Sequence, residues 1–203
     1  QLEAQPYLQV QGLIRSGLIL SRVAQLDARE RQETTRAAHA VLRDALQQAE
    51  SLQEPRLVSA ASGALGNVYL LANRRTEALT LTHQAILAAQ RAGAAELLFR
   101  WHWQAARLHR AQRDLDQAIG SYRLALAAYE ASNLSPVPAD FNLFASEPSH
   151  AVFLEHADLL LQKSGTLGNS AGAQGYLVEA RDTVEMLKAR ELQDYFRDSC
   201  VAE

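Results

Sequence analysis

Two alanines seven residues apart recur at a fixed interval along this chain: Ala38 and Ala45, Ala78 and Ala85, Ala118 and Ala125, each pair 40 residues after the last. Leu42, Thr82 and Tyr122 stand four residues into each pair. Offsets of zero, four and seven share one face of an α-helix. Small residues at its ends let two backbones approach, and the larger residue between them fills the gap. An interval near forty residues is that of a helical hairpin repeated along a chain. One hairpin cannot bury its own apolar face, so the repeats must stack into an array. The composition agrees: 36 Ala and 32 Leu stand against 10 Gly and 5 Pro, strong helix formers with few breakers. No stretch alternates in the manner of a strand, and the expected class is all-α.

The pattern predicts helices over about 5–27 and 30–53, 56–73 and 75–92, then 95–112 and 115–132. Asn73 to Thr76 and Gln112 to Asp114 are the short turns inside the second and third pairs. Residues 133–148 break the period with Pro136, Pro138 and Pro148, and read as an irregular insert. Its Leu134, Val137, Phe141, Leu143 and Phe144 are unusual in a solvated loop. They either pack over the third pair or enter its groove as a built-in ligand. A helix resumes near 149 and runs to about 163. Gly165 to Gly175 reads as a flexible connector, and a last helix spans about 173–197. Ala180, Val184 and Leu187 echo the repeat there. The chain is thus one domain over 1–203, with units near 5–53, 56–92, 95–132 and 149–199.

Leu65, Gly66 and Tyr69, followed by Ala78 and Ala85, resemble the tetratricopeptide repeat: a Leu-Gly pair, Tyr three residues on, then two alanines in the partner helix. The next unit keeps Ala118, Tyr122 and Ala125, but has Ala105-Ala106 for Leu-Gly and His109 for Tyr. The resemblance implies a right-handed superhelical array of about four antiparallel helix pairs. It also implies a non-catalytic module that takes a protein or peptide in a concave groove lined by the first helix of each pair. Residues 180–198 are similar to the helix that leads out of such arrays in bacterial CHAT proteins. That resemblance implies a second role, the regulatory region of a caspase-like protease whose catalytic domain would follow Glu203. Self-association, as a homodimer through the terminal helices, is a third.

The segment 97–113 holds Arg100, Arg107, Arg110 and Arg113, two His and no acid. Arg100, Trp103, Arg107 and Arg110 fall within an arc of roughly 80° on one helix. The resemblance places them toward the groove, with Asn67 in the corresponding place one unit earlier. Guanidinium groups beside an indole suit an acidic peptide, with Trp103 as apolar anchor. The alternative is a helix face with an intramolecular acidic partner. Family members that clamp a terminal carboxylate use Lys and Asn at set groove positions. Only Asn67 and Arg100 echo that set, and Gly63 stands where the Lys is required.

Other chemistry finds no constellation. His102 and His109 are two turns apart, too far to share a zinc ion, and read as core-facing. His39, His83, His150 and His156 complete no ligand motif. Cys200 has no neighbouring base or oxyanion loop and reads as a terminal thiol able to form intermolecular disulfides. The glycines of 165–175 lack a phosphate-loop ending. No metal, cofactor or enzymatic activity is expected. A formal net charge of −3 argues against nucleic acid as the partner, and no eighteen-residue apolar run argues for a membrane span. The compartment is not written in the sequence; a cytoplasmic setting is the expectation.

Overall fold

The computed structural model describes residues 4–133 and 150–200. Eight helices occupy the described residues: α1 (Ala4–Leu26), α2 (Arg31–Ser51), α3 (Pro55–Leu71), α4 (Arg75–Ala92), α5 (Ala95–Ala111), α6 (Leu115–Asn133), α7 (His150–Leu167) and α8 (Ala171–Cys200). No strand occurs among them. Each odd helix packs most extensively on the even helix that follows it, so the fold is an all-α array of antiparallel pairs. The expected insert lies, but for its first residue, outside the described residues.

The Gly165–Gly175 connector is corrected. Helix α7 runs on to Leu167, α8 begins at Ala171, and only three residues turn between them. Gly168 supplies the turn with φ of 60°, while Gly172 and Gly175 sit inside α8. Scattered glycines resembled a loop because their spacing, not their number, decides which of them must bend. The same left-handed residue closes four other helices, at Gln53 (φ 54°), Asn73 (59°), Gly93 (60°) and Arg113 (63°). The next amide then reaches back to the helix's last turn, as Arg74 N–H does to Tyr69 C=O at 2.8 Å and Asp114 N–H to His109 C=O at 3.0 Å.

The repeat alanines do the work their size permits. Ala38, Ala45, Ala78, Ala85, Ala118 and Ala125 are all buried, as are Leu42, Leu65, Thr82 and Tyr122. Tyr69 is half-buried, its hydroxyl 3.1 Å from His39 Nε2. A side chain on Gly66 would meet the Ala78 carbonyl at 3.2 Å, so the repeat glycine keeps α3 close to α4. Odd helices also touch one another, α1 with α3 and α3 with α5, whereas no two even helices among the described residues pack to that extent. The array therefore curves with the odd helices on its inner side.

Helix α5 divides two cores. Trp101 points into the first, with Val10, Ile14, Leu57 and Ile86. Trp103, two residues on and so on another bearing, enters the second, with Tyr122, Phe153, Leu159 and Leu160. The backbones of α5 and α7 are not closely packed, and α7 packs chiefly on α6 and α8.

Candidate functional site

The inner face narrows to a cleft of about 60 Å³ between α1, α3 and α5. Its floor is α3, made thin by Ala64 and its small neighbours. Leu18 and Leu70 supply apolar lining, Asn67 and Gln104 supply amides, and Arg100 and Arg107 supply charge. Of the five residues expected in a groove, Asn67, Arg100, Trp103 and Arg107 thus share one cleft; Arg110 lies outside it.

Trp103 does not serve as an exposed anchor, and that expectation is corrected. It is 2% exposed, and its indole N–H donates to Glu155 Oε2 at 2.8 Å. Tyr122 O–H donates to the same oxygen at 2.9 Å. Arg107 closes on Glu155 with both Nε (3.0 Å) and Nη2 (2.7 Å), and its guanidinium lies 4.0 Å above the Trp103 ring. Arg110 pairs with Asp158 one turn further along α7. Arg107 and Arg110 thus bind α7, the intramolecular acidic partner that the sequence offered as the alternative. The physical reason is the shallow approach of α5 to α7: their backbones are not closely packed, and long charged side chains reach across beside the buried Trp103.

Glu155 is the residue that sequence reasoning missed. One half-buried carboxylate takes donors from α5 and α6 while sitting on α7. Burial pushes its pKa up, but Arg107, Trp103 and Tyr122 outweigh that and hold it below the usual glutamate value. Burial first, and then the Glu155 charge, push the Tyr122 phenol well above its ordinary value, so it stays a donor.

His156 follows Glu155 and is also buried. Its ring stacks on Tyr122 with centroids 5.7 Å apart, Nδ1 lies 3.4 Å from Thr183 Oγ1, and Nε2 lies 3.6 Å from Glu179 Oε1. Glu179 is itself held by Arg123 through two bonds of 2.6 Å. Burial pushes His156 down to about 4, with the Arg123 charge adding to the shift and Glu179 opposing it. The unfolded chain therefore takes up a proton near pH 6.5 that the folded chain refuses until about 4. Stability from this residue is fully present above pH 6.5 and is lost as pH falls toward 4. Glu155, depressed below its unfolded value, loses its share in the same direction, starting nearer pH 5. Urea titrations at pH 7 and pH 4.5 should differ by roughly 2–3 kcal/mol, and His156→Phe should flatten the part of that slope between pH 6.5 and 5.

Elsewhere, His102 and His109 are half-buried rather than in the core, both held below the ordinary histidine value by burial. His83 and His109 lie with centroids 6.5 Å apart. No three metal-ligating side chains among the described residues could hold an ion together. On the outer side a furrow of about 610 Å³ opens between α2 and α4, floored by Pro55 and Val58 and edged by His83, Leu87 and Arg91. No helix among the described residues is long and apolar enough to cross a membrane.

No family model matches the chain, and no curated protein does. Among solved structures the chain is similar to BtubC (BKLC) from P. vanneervenii. The two are 19% identical over 93% of this chain and 92% of that one, with a TM-score of 0.48. It is also similar to a kinesin light chain-like protein of Podosopora anserina with nearly identical TPR-like repeats. That pair is 19% identical over 88% of this chain and 95% of the other, with a TM-score of 0.45.

Proposed function

We propose that the inner face of α1, α3 and α5 binds an extended, acidic segment of another protein. The observation that carries this is the charge of those three helices. They hold Arg15, Arg22, Arg56, Arg100, Arg107 and Arg110, and one acid, Glu96, which is bound to Arg56. Even with Glu155 and Asp158 of α7 counted against Arg107 and Arg110, this face keeps a net positive charge, although the chain as a whole is negative. Leu18 and Arg100 both line the cleft, and Arg15 and Arg22 stand three and four residues from Leu18 on the same side of α1. The guanidinium groups draw carboxylates, Leu18 and Leu70 receive an apolar side chain, and Asn67 hydrogen-bonds peptide backbone. Trp103 contributes from beneath, by fixing the plane of Arg107.

The test uses fluorescein-labelled peptides of alternating Glu and Leu, with Lys/Leu counterparts, titrated by fluorescence anisotropy. The Glu series should bind, and binding should weaken as salt rises. An Arg22→Glu/Arg100→Glu variant should bind at least about tenfold more weakly, with an unchanged circular dichroism spectrum. Equal binding of the two series would sink the reading.

A second reading makes the array the regulatory region ahead of a caspase-like peptidase domain. It is favoured by the length of α8, 30 residues against 18 in α7, and by the resemblance carried by residues 180–198. A catalytic His and Cys encoded after Glu203 would support it, and their absence from the gene would end it.

A further inference from the structure

The outward side of α8 carries a pattern that the inner face does not explain. Ala173, Ala180, Thr183 and Leu187 are buried, so that side of the helix faces the array. Arg190 lies over the Tyr129 ring at 5.1 Å and marks the same side further along. On the opposite side two apolar groups are exposed. Leu177 (47% exposed) and Val178 (48%) form one; Leu192 (57%), Tyr195 (69%) and Phe196 (62%) form the other. Between them stand Glu185 and Lys188, both exposed.

We infer that α8 pairs antiparallel with α8 of a second copy through this outward side, about a twofold axis that crosses the helix at the height of Met186 and Leu187. This does not rest on the peptide-binding reading. The argument is the self-complementarity of the stripe. Val178 and Phe196 are eighteen residues apart, five full turns at about 100° per residue, and so share one bearing. Leu177 and Tyr195 share another in the same way. A twofold axis across two antiparallel helices brings equal bearings together. Val178 then lies over Phe196 of the second copy, and Leu177 over Tyr195, at both ends of the interface. The same register sets Glu185 beside Lys188 of the second copy, twice. Within one chain these two already bond at 2.8 Å across three residues, so the pair needs only to exchange partners. A parallel alignment would set Glu185 on Glu185 and Lys188 on Lys188. Arg181 meets Leu192, over which its aliphatic stem can lie while its head keeps Asp182 at 2.7 Å.

The experiment is sedimentation equilibrium of the whole chain across the micromolar range. The expected mass is twice the 22.3 kDa of one chain. Val178→Asp should raise the dissociation constant at least about tenfold. Glu185→Lys alone should weaken pairing several-fold, as should Lys188→Glu alone, and the two together should restore it. Rescue by the double variant is a readout that altered folding would not give. In a Cys200→Ser background, Val178→Cys with Phe196→Cys should oxidise to a covalent dimer, while either change alone should not. A monomer throughout, loss of charge rescue, or cross-linking by the single variants as readily as by the double would each overturn the inference.

Discussion

Replacing Glu155 with alanine is expected to destabilise the protein by about 3 kcal/mol, chiefly in its last two helices. The change orphans a buried indole N–H on Trp103 and the Tyr122 hydroxyl, and leaves Arg107 without the acid that holds it. Each buried donor without a partner costs about 1–3 kcal/mol, and the Arg107 charge adds less because its side chain is 41% exposed. Glu155→Gln keeps an acceptor for Trp103 and loses the charge, so it should cost about half as much. Hydrogen exchange is the decisive measurement. In an array where each unit contacts its neighbours, protection should fall in α7 and α8 and persist in α1 to α4. Uniform loss of protection, or a destabilisation below about 1 kcal/mol, would show that Glu155 does not join α7 to the array.

Trp101→Ala should be costlier still, about 4 kcal/mol, and should act on the other half of the chain. The ring is 2% exposed and presses on Gly63, where any side chain would approach it to 2.5 Å. Its N–H donates to Ser59 Oγ at 2.9 Å, and Ser59 O–H donates to the Ala85 carbonyl at 2.8 Å. One side chain thereby ties α5 to α3 and, through Ser59, to α4. Alanine removes the ring, opens a cavity and takes away Ser59's donor. Trp101→Phe retains most of the volume and should cost about 1–2 kcal/mol, which separates packing from the hydrogen bond. For a chain of this size the alanine variant should melt roughly 10 °C lower by calorimetry. A shift of only a degree or two would mean that the α3–α5 contact closes over the void.

How legible the molecule was can be judged from α5. Its helical character, its length and its place as the first helix of a pair follow from apolar spacing and from the alanines of its neighbours. Those are properties of near residues. The basic row on it was equally plain, but its destination was not, because a row of arginines reads alike whether it faces solvent, a ligand or another helix. The missing information sat 48 residues away. Arg107 and Arg110 are three apart, and Glu155 and Asp158 are three apart, so two matched pairs of opposite charge can meet turn for turn. That spacing was in the sequence, but nothing local tied the one pair to the other. Gly63 is a similar case. Among residues it registers as the lack of a lysine; in the fold it is the seat of Trp101. The glycines near 165–175 misled for the opposite reason. Only Gly168 adopts a backbone conformation that favours glycine, and the helices simply run through the others.

The looser packing of α5 against α7 also has a mechanical meaning. From α1 to α5 the inner helices share one buried apolar core and touch directly, and such a contact resists strain until it breaks. Between α5 and α7 the link is Trp103, seated among α7 side chains in the second core, together with ionic bonds at its edge, and bonds of that kind stretch, rotate and weaken in salt. Pulled from its two ends, the array should behave as a stiff rod in series with one compliant coil. Extension would collect at that coil, the final helix pair tilting while the rest moves as a body, and the spring constant would drop as ionic strength rises.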